Sequence, residues 1–457
     1  VRILKDGNGG AAGKTVLACR TRLEGDLVVE NLSAYLARPH RLARRAEYAG
    51  GGVVAAVDVG TTVLKAELLD PGSGEPYVRA SLTNPQGAYG SDVLKRLDAA
   101  RDVPKRADLR ELLLQGIGRL LTFASQEAGV PLGAAERCVL VGNAAVTALF
   151  FGDEAHDLSV SPHRSPYEGS GLLPVDPRDL GLSGGEAFFL PVLGGFVGSD
   201  VTAGLVASGV LEAEGPRLFI DVGTNGEIAL AHGGDVWVSS VAAGPALEGG
   251  HLTSGMPAVP GAVEGVDRDA SGTVRFRVLG GEPPRGFCGS GVIDLVALML
   301  DEGIMDPTGE LDPDHESVTE DRGVRFFLPD PEAPSLRMTQ EDVRSVQLAA
   351  GAVRAGRAIL LKDCGLGERD LSGVVLTGAF SARLNVRSAR TLGLVPPAPC
   401  PVQIQADGAL TGAALCAADP LVREQALGLA GRVVHVNLVE NGFEGAFLKS
   451  LDFPSRD

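Results

Sequence analysis

Paired cysteines are missing from this sequence. Its six cysteines, at 19, 138, 288, 364, 400 and 416, include no CxxC pair and no Cys/His cluster with zinc spacing. That excludes a zinc finger and a disulfide-stapled secreted domain, and reduced thiols packed as small hydrophobes are expected instead. Long apolar runs are missing too. The best, VLVGNAAVTALFF at 139–151, falls short of the ~18 residues needed to span a bilayer and carries Asn143 in its middle. The opening, VRILKDGNGG, lacks the apolar core of a signal peptide, which points to the cytoplasm. Basic residues are in deficit, 41 Lys and Arg against 58 Asp and Glu, for a net charge of −17. Phosphate backbones and anionic membranes are bound through an excess of Lys and Arg, so neither is an expected partner. The one basic cluster, RPHRLARRAEY at 38–48, reads as a solvated helix in a linker.

What is present is a repeat. In a chain of 457 residues, long enough for two or three domains, VVAAVDVGTTVLKAELLD at 53–70 returns as RLFIDVGTNGEIALAHG at 217–233. Each copy is an apolar β-branched run, a tight turn at Gly and a return strand, the signature of a hairpin. Copies so far apart do not make a solenoid; they imply two similar lobes, each opening with the same hairpin. Between and after them, strands alternate with helices. The spacing predicts helices at 107–129, 200–209, 289–306 and 340–366, and strand–turn–helix units at 135–152 and 373–394. The segment 262–284 reads as a short hairpin, and 306–337 as an Asp/Pro-rich surface loop. Alternation of this kind belongs to the α/β class.

The hairpin turns carry the chemistry. Gly60, Thr61 and Thr62 expose backbone N–H groups and two hydroxyls at one strand end, neutral donors suited to phosphate oxygens. Asp58, at the end of the strand, offers a hard carboxylate able to hold Mg²⁺ through its water shell. Asp221, Gly223, Thr224, Asn225 and Gly226 repeat the set. One DVGT alone fits a plain tight turn with a solvated Asp as well as a phosphate turn; two in matching strand contexts predict a cradle for the β- and γ-phosphates of ATP. Gly142 and Asn143 form a strand–helix turn in the connecting segment. Gly378, Ala379, Phe380 and Ser381 form another after the apolar strand VVLT.

At this point the sequence resembles the reductive activators of corrinoid proteins. The resemblance rests on the two hairpins, NPQGAYGSDVLKRL at 84–97, GGFVGSDVTAG at 194–204, GPALEGGHLTSGMPA at 244–258, FCGSGVIDLVALMLDEGIMD at 287–306 and LTGAFSARLN at 376–385. It implies an actin-like ASKHA fold: two lobes, each built on a duplicated ribonuclease H-like unit, with a nucleotide cleft between them. Lobe 1 is expected at 53–210 and lobe 2 at 211–457, after a linker at 32–52. In this fold the Gly378–Ser381 turn lies under the adenosine. The segment VLACRTRLEGDLVVE at 16–30 resembles the end of a plant-type ferredoxin domain, so residues 1–31 read as its C-terminal remnant and Cys19 as one ligand of a 2Fe–2S cluster. Such a cluster needs four thiolates, and the upstream run is not in this chain. The first residue is Val rather than Met, and further sequence is expected before it.

The resemblance implies ATP-dependent return of an inactive Co(II) corrinoid protein to Co(I) within a methyltransferase or O-demethylase system. Asp58 and Asp221 would position Mg²⁺ waters, while Thr61, Thr62, Thr224 and Asn225 would bind phosphate oxygens. Lys65 is a further candidate for phosphate, and Glu227 and Asp200 are candidates to orient the attacking water. The implied partners are a corrinoid protein and an electron donor, with a homodimer left open. Two alternatives on the same fold remain. One is a small-molecule kinase. The other is an activator of a dehydratase or radical enzyme, for which Cys288 is the only candidate cluster ligand.

Overall fold

The computed structural model describes residues 2–5, 28–30, 39–44, 46–48, 50–90, 92–160, 163–269, 272–378 and 381–455. The chain divides into two packing units, Val1–Ala203 with Ala409–Ala430, and Gly204–Gly408 with Gly431–Asp457.

In the first unit, β1 (Arg2–Lys5) and β2 (Val28–Glu30) pair antiparallel as a sheet of their own. The main sheet has seven strands: β3 (His40–Arg44), β4 (Val53–Val59), β5 (Val63–Leu69), β6 (Pro76–Thr83), β7 (Ala135–Val141), β8 (Leu173–Val175) and β9 (Glu186–Phe189), in the order β3-β6-β5-β4-β7-β9-β8. β4 is almost wholly buried, as a β-branched run at the centre of a covered sheet should be. Helix Val103–Ala128 packs on β5 and β6 through Leu109, Leu113, Ile117, Leu120, Leu121 and Ala124, a stripe at helical spacing. Each buried leucine contributes about 1.5–3 kcal/mol. The helix starts on Asp102, whose side chain accepts from Lys105 N–H, and stops at Gly129 in the left-handed region. The basic cluster at 38–48 is not the solvated helix that its charge suggested. His40–Arg44 adds to the edge of the sheet beside β6, where alternate side chains can stay in water.

The second unit holds a six-stranded sheet. β10 (Arg217–Val222), β11 (Gly226–His232) and β12 (Asp235–Val241) are antiparallel neighbours. A small sheet of β13 (Ala262–Arg268), β14 (Val274–Val278) and β15 (Gly286–Phe287) follows, containing the hairpin expected at 262–284. The expected loop at 306–337 contains structure: β16 (Val318–Asp321) and β17 (Val324–Phe327) pair there and β18 (Met338–Thr339), just beyond it, joins them, with Val318, Phe326, Phe327 and Met338 buried. β19 (Gly373–Thr377), β20 (Val402–Ile404) and β21 (Val433–His435) complete the main sheet, in the order β20-β19-β10-β11-β12-β21. Helix Gln340–Asp363 covers β11 and β12; it opens on a capping box between Thr339 and Asp342.

Five strands of each main sheet follow one plan. Numbered from the hairpin, their spatial order is third, second, first, fourth, fifth: β6-β5-β4-β7-β9 and β12-β11-β10-β19-β20. The first three are antiparallel, and the fourth and fifth run parallel to the first. This is the ribonuclease H-like unit, present twice, each copy around its own apolar core. Among the described residues no helix is long and apolar enough to cross a membrane.

Candidate functional site

In the first unit, the turn between β4 and β5 is held from two directions. Asn84, buried just after β6, donates its side-chain amide to Gly60 O at 2.8 Å, and its backbone N–H bonds Thr62 O at 2.8 Å. Its Oδ1 accepts from Gln86 N–H, capping the short turn Pro85–Ala88. From the other side, Asn143 donates Nδ2 to Thr61 Oγ1 at 3.0 Å while its Oδ1 accepts from Val146 N–H, capping helix Ala144–Phe151. Gly142 is bracketed by Ser199, whose Oγ lies 3.0 Å from Gly142 N and whose N–H bonds Gly142 O at 2.9 Å. Gly198 makes this possible, because a Cβ there would lie 2.3 Å from Asn143 Cα. Asp200 is in the first turn of helix Ser199–Ser208, and its Oδ1 accepts from Val201 N–H. Asp58 pairs in register with Lys65 on β5 and with Val141 on β7. Asp58, Gly60, Thr61, Thr62, Lys65, Gly142, Asn143 and Asp200 therefore gather at one end of this sheet.

The second unit repeats the arrangement with different side chains. Asp221 stands opposite Glu227 on β11 and beside Thr377 on β19. The loop is one residue shorter than the first, since Val222 pairs with Gly226 whereas Val59 pairs with Leu64. Glu227 thus takes the register position of Lys65. The segment after the third strand again returns to the loop: Gly244 N–H bonds Thr224 O at 2.8 Å, as Asn84 N–H bonds Thr62 O. Gly244 has no side chain to add, and Glu248, at the end of the short turn Pro245–Glu248, takes over. Its Oε2 accepts from Thr224 Oγ1 at 2.6 Å. Burial raises the Glu248 carboxyl above the usual range, against the pull of the Thr224 hydroxyl. Glu227 is buried, 3.5 Å from Ser240 Oγ.

Gly378 closes on the same hairpin. Its φ is 120°, and a Cβ would lie 2.3 Å from Val222 O and 3.0 Å from Asp221 Oδ1. Ser381 is buried and spends its hydroxyl on Gly378 O at 2.9 Å, which shapes the turn. Ala379, Phe380 and Cys19 lie outside the described residues. Cys288 is a buried packing residue, its Sγ 3.4 Å from Val263 O.

Asn84, Glu248, Gly198 and Ser199 had no assigned role in the sequence, although the peptides that contain them stood out. A signal for two of them was present: an X-Pro pair, Asn84-Pro85 and Gly244-Pro245, follows the third strand in each repeat.

Residues 53–213 match the sequence family described as the RACo middle region, and residues 215–457 match that described as the C-terminal domain of RACo, the ASKHA domain. Corrinoid activation enzyme RamQ of Eubacterium limosum is 34% identical over 383 residues, 79% of this chain and 63% of that protein. A Methanosarcina barkeri protein named as the reductase of a Co(II) methylated-amine-specific corrinoid protein is 27% identical over 376 residues, 75% of this chain and 65% of that protein. Among solved structures, a reductive activator for a corrinoid, iron–sulfur protein superposes with a TM-score of 0.78 at 27% identity, over 90% of this chain and 67% of that one. The chain thus spans under two thirds of the length of the curated relatives it matches.

Proposed function

Because the chain belongs to the RACo family, with an ASKHA domain at 215–457, we propose that it binds MgATP and couples its hydrolysis to the return of a corrinoid protein from Co(II) to Co(I). The observation that carries the reading is the doubled unit itself: in each copy an aspartate is the last residue but one of the first strand, a glycine-threonine turn follows, and the segment after the third strand clamps that turn.

In this reading Thr61, Thr62, Thr224, Asn225 and the turn glycines Gly60, Gly223 and Gly226 serve the phosphates, with Lys65 beside Asp58. Gly142 and Asn143 support the first turn. Gly378, Ala379, Phe380 and Ser381 form the adenosine side, the described part of which is a turn pressed onto Asp221 and Val222. Asp200 and Glu227 are the candidates to orient the attacking water.

The donor set suits Mg²⁺. Among the described residues no three His, Cys, Asp or Glu side chains converge as a cage. Mg²⁺ with a nucleotide wants instead one or two carboxylates, waters and phosphate oxygens, and Asp58 and Asp221 would supply those carboxylates. When bound, the ion would neutralise phosphate charge. A 2Fe–2S cluster does not fit the described cysteines, which are not gathered with other ligand side chains.

Reduction of Co(II) takes one electron from a low-potential donor and is uphill, so ATP must bias it. To bias it the activator must bind the Co(I) form, or a more reducible coordination of Co(II), better than resting Co(II), since a ligand shifts an equilibrium only by its preference between states, and the nucleotide would then reset or release the complex. The test is phosphate release from MgATP, alone and with a Co(II) corrinoid protein, with Asp221→Ala as control. Stimulation by the corrinoid protein, lost in the variant, is expected. Hydrolysis indifferent to it but raised by a small hydroxylated metabolite would show a kinase.

A further inference from the structure

In the second unit, the carboxyl ends of two parallel strands lie side by side. β19 runs into the Gly378–Ser381 turn, and β20 runs into Gln405. In open α/β sheets ligands gather outside such carboxyl ends. The Gln405 backbone is fixed from both sides: its N–H bonds Leu376 O at 3.0 Å, and Ser381 Oγ stands 3.3 Å from its carbonyl oxygen. Its side chain is not so employed. Oε1 is buried and takes no hydrogen bond among the described residues. A buried acceptor without a donor is costly, and a ligand that brings the donor recovers that cost. Gly408 keeps the space beside the amide bare, since a Cβ there would lie 3.7 Å from Gln405 Cδ and 2.8 Å from Thr377 Oγ1. Thr377, Gly378, Ser381, Gln405 and Gly408 all belong to this one unit.

Resting on the nucleotide reading above, we infer that Gln405 reads the base and selects adenine over guanine. A primary amide offers an acceptor and a donor side by side. The adenine edge supplies the match, an N6 amino group that donates and an N7 that accepts, and a glutamine pairs with both at once. Guanine presents O6 and N7 there, two acceptors, so one of them must face Oε1 with no proton between them. Sugar and phosphates are common to both nucleotides and cannot make this distinction. Gln405 stands at the end of β20, outside the hairpin of its unit, so the choice of base is separate from the grip on phosphate.

The test is the affinity of the full chain for non-hydrolysable ATP and GTP analogues, both with Mg²⁺, measured by calorimetry. The unmodified chain is expected to prefer the adenine nucleotide by about tenfold or more, the worth of one bidentate base contact. Gln405→Leu should bring the two affinities together, chiefly by weakening the adenine nucleotide. Gln405→Lys should reverse the preference, because a lysine donates to guanine O6 and N7. Thermal midpoints of both variants confirm folding, and the ratio of the two affinities is a readout that a merely structural loss would not move. Equal weakening of both analogues in Gln405→Leu would place the contact on the sugar and overturn the assignment, as would an unmodified chain indifferent to the base. No binding of either analogue by the unmodified chain would overturn the nucleotide reading beneath it.

Discussion

At Gly378 the backbone holds φ at 120°, and a methyl group would sit 2.3 Å from the Val222 carbonyl oxygen. Such a backbone conformation alone costs about 1–3 kcal/mol for a residue with a side chain, and here the obstacle is main chain that cannot swing aside. Gly378→Ala is therefore expected to lower the thermal midpoint and to weaken nucleotide binding, because the β10 end and Asp221 must move to admit it. Asn84 is the other residue with two duties. Asn84→Ala forfeits the bond to Gly60 O and the cap on Gln86, which together are worth about 2 kcal/mol. Asn84→Asp separates them: the carboxylate keeps the cap but faces the Gly60 carbonyl with no proton to give. We expect Asn84→Asp to retain more thermal stability than Asn84→Ala, yet to bind a nucleotide analogue as poorly. Equal affinity for Asn84→Asp and the unmodified chain would show that the amide does not set the turn.

Helix Gly289–Asp301 brings a different cost. Asp294 is buried on it, with Oδ2 3.3 Å from Val266 N and with Oδ1 lacking a hydrogen-bond partner among the described residues. Burial raises its carboxyl above the ordinary 3.8, although the Ser388 hydroxyl and the Val266 N–H pull the other way. A carboxyl raised on folding supports the fold fully below its unfolded pKa and loses that support as pH climbs through the folded value. Asp294→Asn does not titrate. Its stability relative to the native chain should therefore rise from about pH 4 upward toward neutral pH. Melting curves at pH 4 and pH 7.5 read this directly, and a difference constant with pH would refute it.

Elements of this kind also show what was legible. The two hairpins, the helix at 103–128 and the turn at Gly142-Asn143 could be read because β-branched runs, periodic leucines and Gly or Asn breaks act locally. Their meeting could not. Asn84 and Glu248 each reach a turn residue 24 positions earlier, across an entire third strand, and no local pattern reports that return. The motif also hid a register change. Aligning DVGT with DVGT sets Glu227 against Leu64, but the shorter second loop sets it against Lys65. The sheet strands at 318–339 were missed because the segment 306–337 is rich in Asp and Pro, with five of each, while Val318, Phe326, Phe327 and Met338 supply the burial.

Across the whole molecule, each ribonuclease H-like unit has its own core and its own turn, so the participation of each can be tested separately. A ligand that binds only the folded state adds stability by mass action, about 2.7 kcal/mol at a hundred times its Kd. For units of this size, at about 2–4 °C per kcal/mol, that raises the midpoint by roughly 5–11 °C. We expect the non-hydrolysable analogue with Mg²⁺ to give such a shift in the unmodified chain. Asp58→Ala and Asp221→Ala each remove the carboxylate at one strand end, and each should abolish the shift, whatever either does to the midpoint without ligand. Comparing shifts, not midpoints, matters because both aspartates make further interactions. If Asp221→Ala abolishes the shift and Asp58→Ala keeps it whole, only the second turn serves the nucleotide. The likeness of the first would then be a relic of duplication, and Thr61 would have no phosphate to meet.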